Sequence, residues 1–208
     1  MQVRPYPEKD GMRVWLNDEE SQMLVNYYSD DLEKQLVVRL LLSMMRKDDL
    51  VNNVRTSAIR QLEHEELEAY VVAIGTETKT GEPHYSPISE KTRDHLMMFK
   101  QARNAKKDEL LFQQSKKTIG RIVKSAAEDL AEQTGDENWN YVRAHDLRRT
   151  AANRIYYTLV RSGWASEFAL RTVCAWGGWS NKSTFEQHYL SVLPEDMQAE
   201  MMEEADLR

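Results

Sequence analysis

The sequence predicts an α+β fold, a mainly helical domain with a small three-stranded antiparallel sheet. Apolar residues recur at helical spacing over most of the chain. Residues 55–88 instead show short β-branched and aromatic runs, VRTSAIRQL, EAYVVAIG and EPHYSPIS, with the glycine-containing turn TETKTGEP between the last two. At 208 residues the chain is long enough to bury a substantial core. Its single cysteine, Cys174 in LRTVCAW, permits no intrachain disulfide or multi-cysteine metal site and reads as a small buried hydrophobe.

In chain order, residues 1–13, with Pro5, Pro7 and Gly11, read as an extended, linker-like lead-in rather than a packed element. Asn17 is a good N-cap, and Asp18, Glu19 and Glu20 suit the first turn of a helix whose Met23, Leu24 and Tyr27 share a face. A second helix starts near Asp30 or Asp31 and runs through LEKQLVVRLLLSMM to a nearly continuous apolar end that should be buried. The abrupt return to charge in RKDDLVNN sets Arg46 and Asp49 at the edge of the core. After the strands, helices are expected near 90–103, 116–133, 145–162, 166–175, 181–191 and 195–206, with breaks at GDENWN and SGW. The chain thus divides into the lead-in, one domain over 14–193, and an acidic C-terminal helix or tail over 194–208. Met197 and Met201, extended by Ala205, give that tail an apolar side.

No apolar run approaches the roughly 20 residues that span a bilayer, and MQVRPYPEKDG lacks the apolar stretch of a secretory signal. The expectation is a soluble, cytoplasmic protein with no membrane partner. The net charge of -6 argues against a protein that simply coats nucleic acid. Much of the negative charge lies in PEDMQAEMMEEADLR, however, and the rest is near neutral. Basic residues gather at Lys106, Lys107, Lys116, Lys117, Arg121 and Lys124, and again at Arg143, Arg148, Arg149 and Arg154.

The most informative segment is RAHDLRRTAANRIYYTLV. His145 sits near a helix start with Arg148 at i+3, so imidazole and guanidinium project from one face beside the amides of the helix N-terminus. That combination is an anion site, since the helix end carries about half a positive charge and arginine adds a planar fork matched to phosphate oxygens. Downstream, in CAWGGWSNKSTFEQHYL, Trp179 follows two glycines and Tyr189 comes about a helix later.

Taken together, His145-Asp-Leu-Arg148, Gly-Trp179-Ser and His-Tyr189-Leu resemble the C-terminal signature of tyrosine recombinases of the phage-integrase type. Arg46 with Asp49 three positions on, and Lys79 at a hairpin turn before a strand ending in Pro-Ile-Ser, match that family's two earlier elements. The resemblance runs from about residue 14 to 191. The sequence departs from the usual pattern at Met45, where the family commonly has glycine, at Asp49 for glutamate, at Trp179 for a second histidine, and in a tyrosine one residue late.

The resemblance implies the tyrosine-recombinase catalytic fold and strand cleavage by Tyr189 through a 3′-phosphotyrosine. In that scheme Arg46 and Arg148 hold the phosphate oxygens, His145 assists proton movement, Lys79 protonates the departing 5′ hydroxyl, Trp179 packs on the site and Asp49 orients the arginine or histidine. Two guanidiniums can supply the charge stabilisation that metal ions supply in many nucleases, so neither a metal nor another cofactor is expected. The partners implied are double-stranded DNA, contacted through Lys116, Lys117, Arg121, Arg143 and Arg149, and other protomers on that DNA, with exchange of the C-terminal helix one arrangement and docking on its own domain the other. The acidic face of that helix could also mask the basic cleft. An N-terminal DNA-clamp domain usual in the family is expected to have no counterpart in these residues. A type IB topoisomerase and a catalytically inactive DNA-binding relative are the alternative readings of the same residues, and a plain helical interaction domain is an unrelated one.

Overall fold

The computed structural model describes residues 1–76, 83–190 and 192–207. Residues 1–13 pack on the domain rather than leading into it, which corrects the linker expectation. Strands β1 (Gln2–Pro5) and β2 (Met12–Trp15) pair antiparallel with Val3 opposite Val14, and Tyr6 N–H donates to the Gly11 carbonyl at 3.0 Å. The expected boundary between residues 13 and 14 therefore falls inside a strand. The physical reason is local: each strand has four residues, too few to show a period, and Pro5, Pro7 and Gly11 sit at or in the turn rather than in a linker. Val14, Trp15 and Leu16 are buried.

Helix α1 (Asp18–Tyr27) starts at a capping box in which Asn17 accepts from Glu20 N–H and Glu20 accepts from Asn17 N–H. Helix α2 (Leu32–Leu41), capped by Asp31, buries Leu36, Val37, Val38, Leu40 and Leu41. It stops earlier than the apolar run suggests. Met44 adopts a positive φ of 66° and Met45 N–H folds back onto the Leu40 carbonyl, so Met44 and Met45 are buried in a turn rather than in helix. A short helix, α3 (Lys47–Asn52), follows at once, in a stretch whose charge pattern gave no helical signal.

Strands β3 (Ile59–Leu62), β4 (Ala69–Ile74) and β5 (His84–Ile88) form the expected antiparallel sheet in the order β3-β4-β5. Val72 of the central strand lies opposite Ile59 on one side and Ser86 on the other. Ser86 donates to the Ser43 carbonyl at 2.5 Å and ties the sheet to the turn after α2. Lys79 and its hairpin turn lie outside the described residues.

Helices α4 (Glu90–Ala102) and α5 (Lys116–Thr134) are capped by Ser89 and Ser115. In α5, Ile119, Ile122, Val123, Ala126, Ala127 and Leu130 make one buried stripe at i, i+3, i+4 spacing. The stretch read as a break before the next helix contains a short 3-10 helix, Glu137–Tyr141, which buries Trp139. Helices α6 (Ala144–Arg161), α7 (Ser166–Gly177), α8 (Lys182–Tyr189) and α9 (Glu195–Glu204) complete the fold. Only the start of the α9 stripe is covered, since Met197 is buried while Met201 and Met202 are exposed. An Arg161–Glu200 ion pair at 2.5 Å fastens α9 to the end of α6.

The core has two parts. The larger gathers residues such as Leu24, Leu36, Leu50, Val72, Leu96 and Phe112 around α2 and α5. The smaller joins Met44, Ala152, Leu170, Val173, Phe185 and Tyr189, so Tyr189 is packed together with the turn that precedes Arg46. Leu36→Ala, at a fully buried position, is expected to lower the unfolding free energy by about 2–5 kcal/mol. Leu62→Ala, 46% exposed on an edge strand, should stay within about 0.5 kcal/mol of the parent. Urea-denaturation midpoints compare the two.

Candidate active site

The start of α6 fixes the first two functional side chains. Asp146 accepts from Arg143 N–H at 2.9 Å and so caps the helix, which sets His145 on the first turn and Arg148 one turn later. Arg148 is 1% exposed. Its Nη2 donates to the Gly177 carbonyl at 2.7 Å, its Nη1 donates to the Met44 carbonyl, and its guanidinium lies 3.8 Å from the centroid of the Trp179 ring. Arg46, at the start of α3, donates from Nη2 to the Gly178 carbonyl at 2.6 Å. Its Nη1 is buried with no hydrogen-bond partner among the described residues.

The two glycines are required where they stand. A Cβ on Gly177 would come within 1.7 Å of the Trp179 ring, and Gly178 closes α7 at φ 66° with the His84 ring 2.7 Å from where a Cβ would be. Trp179 can therefore fold back across the end of α7, between Arg148 and Tyr189 of α8. Tyr189 stacks on Phe185 with ring centroids 5.2 Å apart and meets Trp179 edge-on at 4.8 Å.

Tyr189 is 6% exposed, and its hydroxyl lies 3.0 Å from His145 Nε2. His145 as a residue is exposed, but its ring is crowded. That partial burial, followed by the charges of Arg149, Arg148, Arg46 and Lys47, holds its pKa well below the ordinary histidine value. The four cations alone fix the direction. The ring is then neutral at pH 7, and in the tautomer with its proton on Nδ1 it can accept from the phenol. Burial pushes Arg148 down to about 10, partly opposed by Tyr189, which leaves it charged at neutral pH.

A cleft of about 590 Å³ opens here, lined by Arg46, His145, Trp179 and Tyr189 together with Tyr6 and Lys9 from the hairpin loop. Arg46, His145, Arg148, Trp179 and Tyr189 thus converge from α3, α6, the α7–α8 turn and α8. Asp49 is fully buried and reaches Arg46 through the backbone, accepting from its N–H at 2.8 Å rather than from its guanidinium. Lys116, Lys117, Arg121 and Arg143 are all exposed, with Lys116 paired to Asp48.

Arg149, also expected to contact DNA, is placed differently, on the lining of the cleft. It is 2% exposed, ion-paired with Asp146, and donates to the His188 carbonyl and the Tyr6 hydroxyl. Four residues that the sequence reading passed over, Tyr6, Lys9, Trp15 and Asn153, lie in or beside the site. Asn153 had a legible signal, an amide on the apolar face of a helix, where it must find partners.

No curated protein matches the chain. Among solved structures it is similar to XerA recombinase, with a TM-score of 0.66 and 20% identity over 94% of this chain and 66% of that one. It is also similar to XerH site-specific recombinase bound to difH substrate, with a TM-score of 0.62, 15% identity, and 95% and 56% of the two chains covered. The Tn1549 transposon integrase in complex with transposon right end DNA gives a TM-score of 0.60 and 15% identity over 92% of this chain and 65% of that one. The chain therefore spans less than two thirds of the length of each of these. The profile of the phage integrase family matches residues 14–196, the span that holds every side chain of the cleft except those of the hairpin loop, and the chain belongs to that family of tyrosine recombinases.

Proposed function

We propose that this chain cleaves and rejoins DNA as a site-specific recombinase or integrase, through a transient 3′-phosphotyrosine at Tyr189. The observation that carries the reading is the 3.0 Å approach of the Tyr189 hydroxyl to His145 Nε2, in a cleft lined by Arg46, with Arg148 buried against Trp179 beside it. The phenol oxygen bonds to phosphorus as the bond from phosphorus to the 5′ oxygen breaks. The phenolic proton passes to His145. The departing 5′ oxygen takes a proton from Lys79, a role that rests on the resemblance alone. Rejoining reverses each step, so the bond energy is conserved.

The transition state gathers negative charge on the non-bridging oxygens. Arg46 Nη1, a buried donor with no hydrogen-bond partner among the described residues, suits one of those oxygens. Loss of one such preorganised donor typically raises the barrier by about 3–4 kcal/mol. Asp49 holds the Arg46 backbone, and Trp179 supports both Arg148 and Tyr189. DNA flanking the scissile phosphate is contacted by Lys116, Lys117, Arg121 and Arg143. Joining two sites also requires further protomers, for which the exposed Met201 and Met202 of α9 offer an apolar contact.

A nicked suicide half-site should give an SDS-resistant protein–DNA band with the parent protein, in EDTA as well, and none with Tyr189→Phe. Peptide mapping should find the adduct on Tyr189 rather than on Tyr156 or Tyr157. A parent protein that binds the half-site but forms no band would indicate the inactive relative, and supercoil relaxation without joining of two sites would indicate a topoisomerase.

Proton transfer to a neutral His145 sets the pH dependence. Its pKa lies below the ordinary 6.5, so the neutral form persists to lower pH and the acid limb of the cleavage rate should fall below 6.5. Single-turnover rates between pH 5 and 8 measure it. Lys117→Gln and Arg121→Gln should each weaken binding to any DNA sequence and reduce the slope of log Kd against log salt by about 1.

A further inference from the structure

The backbone behind the nucleophile is held by groups that the chemistry does not use. Trp15 Nε1–H, from β2, donates to the Tyr189 carbonyl at 3.1 Å. Asn153 Nδ2, from α6, donates to the same oxygen at 2.9 Å and to the Val192 carbonyl at 2.7 Å. Tyr189 is the last residue of α8, where carbonyls have no partner within the helix, and a buried carbonyl left unpaired is costly. Two donors from two different elements occupy both of its acceptor positions.

Both donors are set in place by the elements that carry them. Asn153 is 2% exposed in the interior of α6, a position that asparagine disfavours unless its amide is fully bonded. Trp15 is carried by a strand that is itself pinned to α6, with Val14 N–H donating to Asp146 at 3.2 Å and Leu16 N–H to Thr150 at 3.0 Å. Strand, helix and nucleophile segment thus share one hydrogen-bonded frame. A phenol oxygen lies far out on its side chain, so a tilt of the Tyr189 peptide by about 10–20° would carry it beyond the roughly 0.5 Å tolerance of a productive site.

We propose that Trp15 and Asn153 are positioning residues for the nucleophile: by holding the Tyr189 carbonyl from two sides they aim its phenol at His145 and the arginines. This rests on the phosphotyrosine reading above. The test is single-turnover cleavage of the nicked half-site, at saturating DNA, by Trp15→Phe and by Asn153→Ala. Trp15→Phe keeps a buried ring and removes the N–H donor. Each variant should cleave roughly 10- to 100-fold more slowly than the parent, while the half-site Kd and, for Trp15→Phe, the thermal midpoint stay close to the parent values. Parent-like cleavage by Trp15→Phe, or a slower rate matched by weaker DNA binding, overturns the proposal, and Trp15→Phe alone decides if Asn153→Ala does not fold. A parent protein that forms no Tyr189 adduct on this substrate overturns the phosphotyrosine reading instead.

Discussion

Two guanidiniums ending on the neighbouring carbonyls of Gly177 and Gly178 are the constraint on which the site depends. Burying a guanidinium is costly unless its donors are satisfied, and the usual partner, a carboxylate, would cancel the charge. Peptide carbonyls take up donors of both guanidiniums, Arg46 Nη1 excepted among the described residues, and leave the charge in place. Arg148 takes the carbonyls of Met44 and Gly177, Arg46 takes that of Gly178, and neither guanidinium is paired with a carboxylate among the described residues, in a chain of net charge -6. Arg149 shows the opposite arrangement. Its partner is the Asp146 carboxylate, and its remaining donors bind the His188 carbonyl and the Tyr6 hydroxyl.

This retained charge reaches the rest of the site. After burial and together with Arg149, it opposes protonation of His145 and so keeps the imidazole in the form that can take a proton from the phenol. It also explains the backbone on either side. Met44 takes a left-handed conformation that is uncommon for a non-glycine residue, and the carbonyl it turns inward is an acceptor for Arg148. Gly177 leaves room for the Trp179 ring, which lies under Arg148 and beside Tyr189. The turn after α2 and the turn after α7 are therefore coupled through one side chain.

Most helices were legible because their starts are written locally, in Asn17, Asp31, Ser89 and Ser115, and because α5 keeps its apolar residues on one stripe. The strands were legible through their change of period. Arg46, His145, Arg148, Trp179 and Tyr189 were singled out by their order, since taken singly none differs from an ordinary core or surface residue. The N-terminal hairpin was not legible, because its four-residue strands are too short to show a period and its anchoring bonds go to Asp146 and Thr150, far away in sequence. Nor could the sequence distinguish Arg149 from Arg148 by role. Adjacent helical positions point about 100° apart, and only the fold decides which one meets a carboxylate and which one meets carbonyls. The end of α2 was overrun for a similar reason, since the apolar residues of Ser-Met-Met are buried by a turn that a helical pattern does not anticipate.

The burial of Tyr189 sharpens the point about position. As the proposed nucleophile, Tyr189 with its ring packed among Trp179, Phe185 and Met44 loses the freedom to search for a target, and gains only if the packed orientation is the productive one. Its hydroxyl sits at the edge of that packing, beside His145 and on the cleft, so the ring is core while the oxygen is site. Aromatic packing alone does not fix such an orientation, because ring contacts are tolerant of small rotations. Hydrogen bonds at the Tyr189 carbonyl are not, and they come from β2 and α6, the elements that also carry the hairpin, His145 and Arg148. The same short stretch of α6 therefore sets both the electrostatics that the phosphate would meet and the angle from which the phenol would approach it.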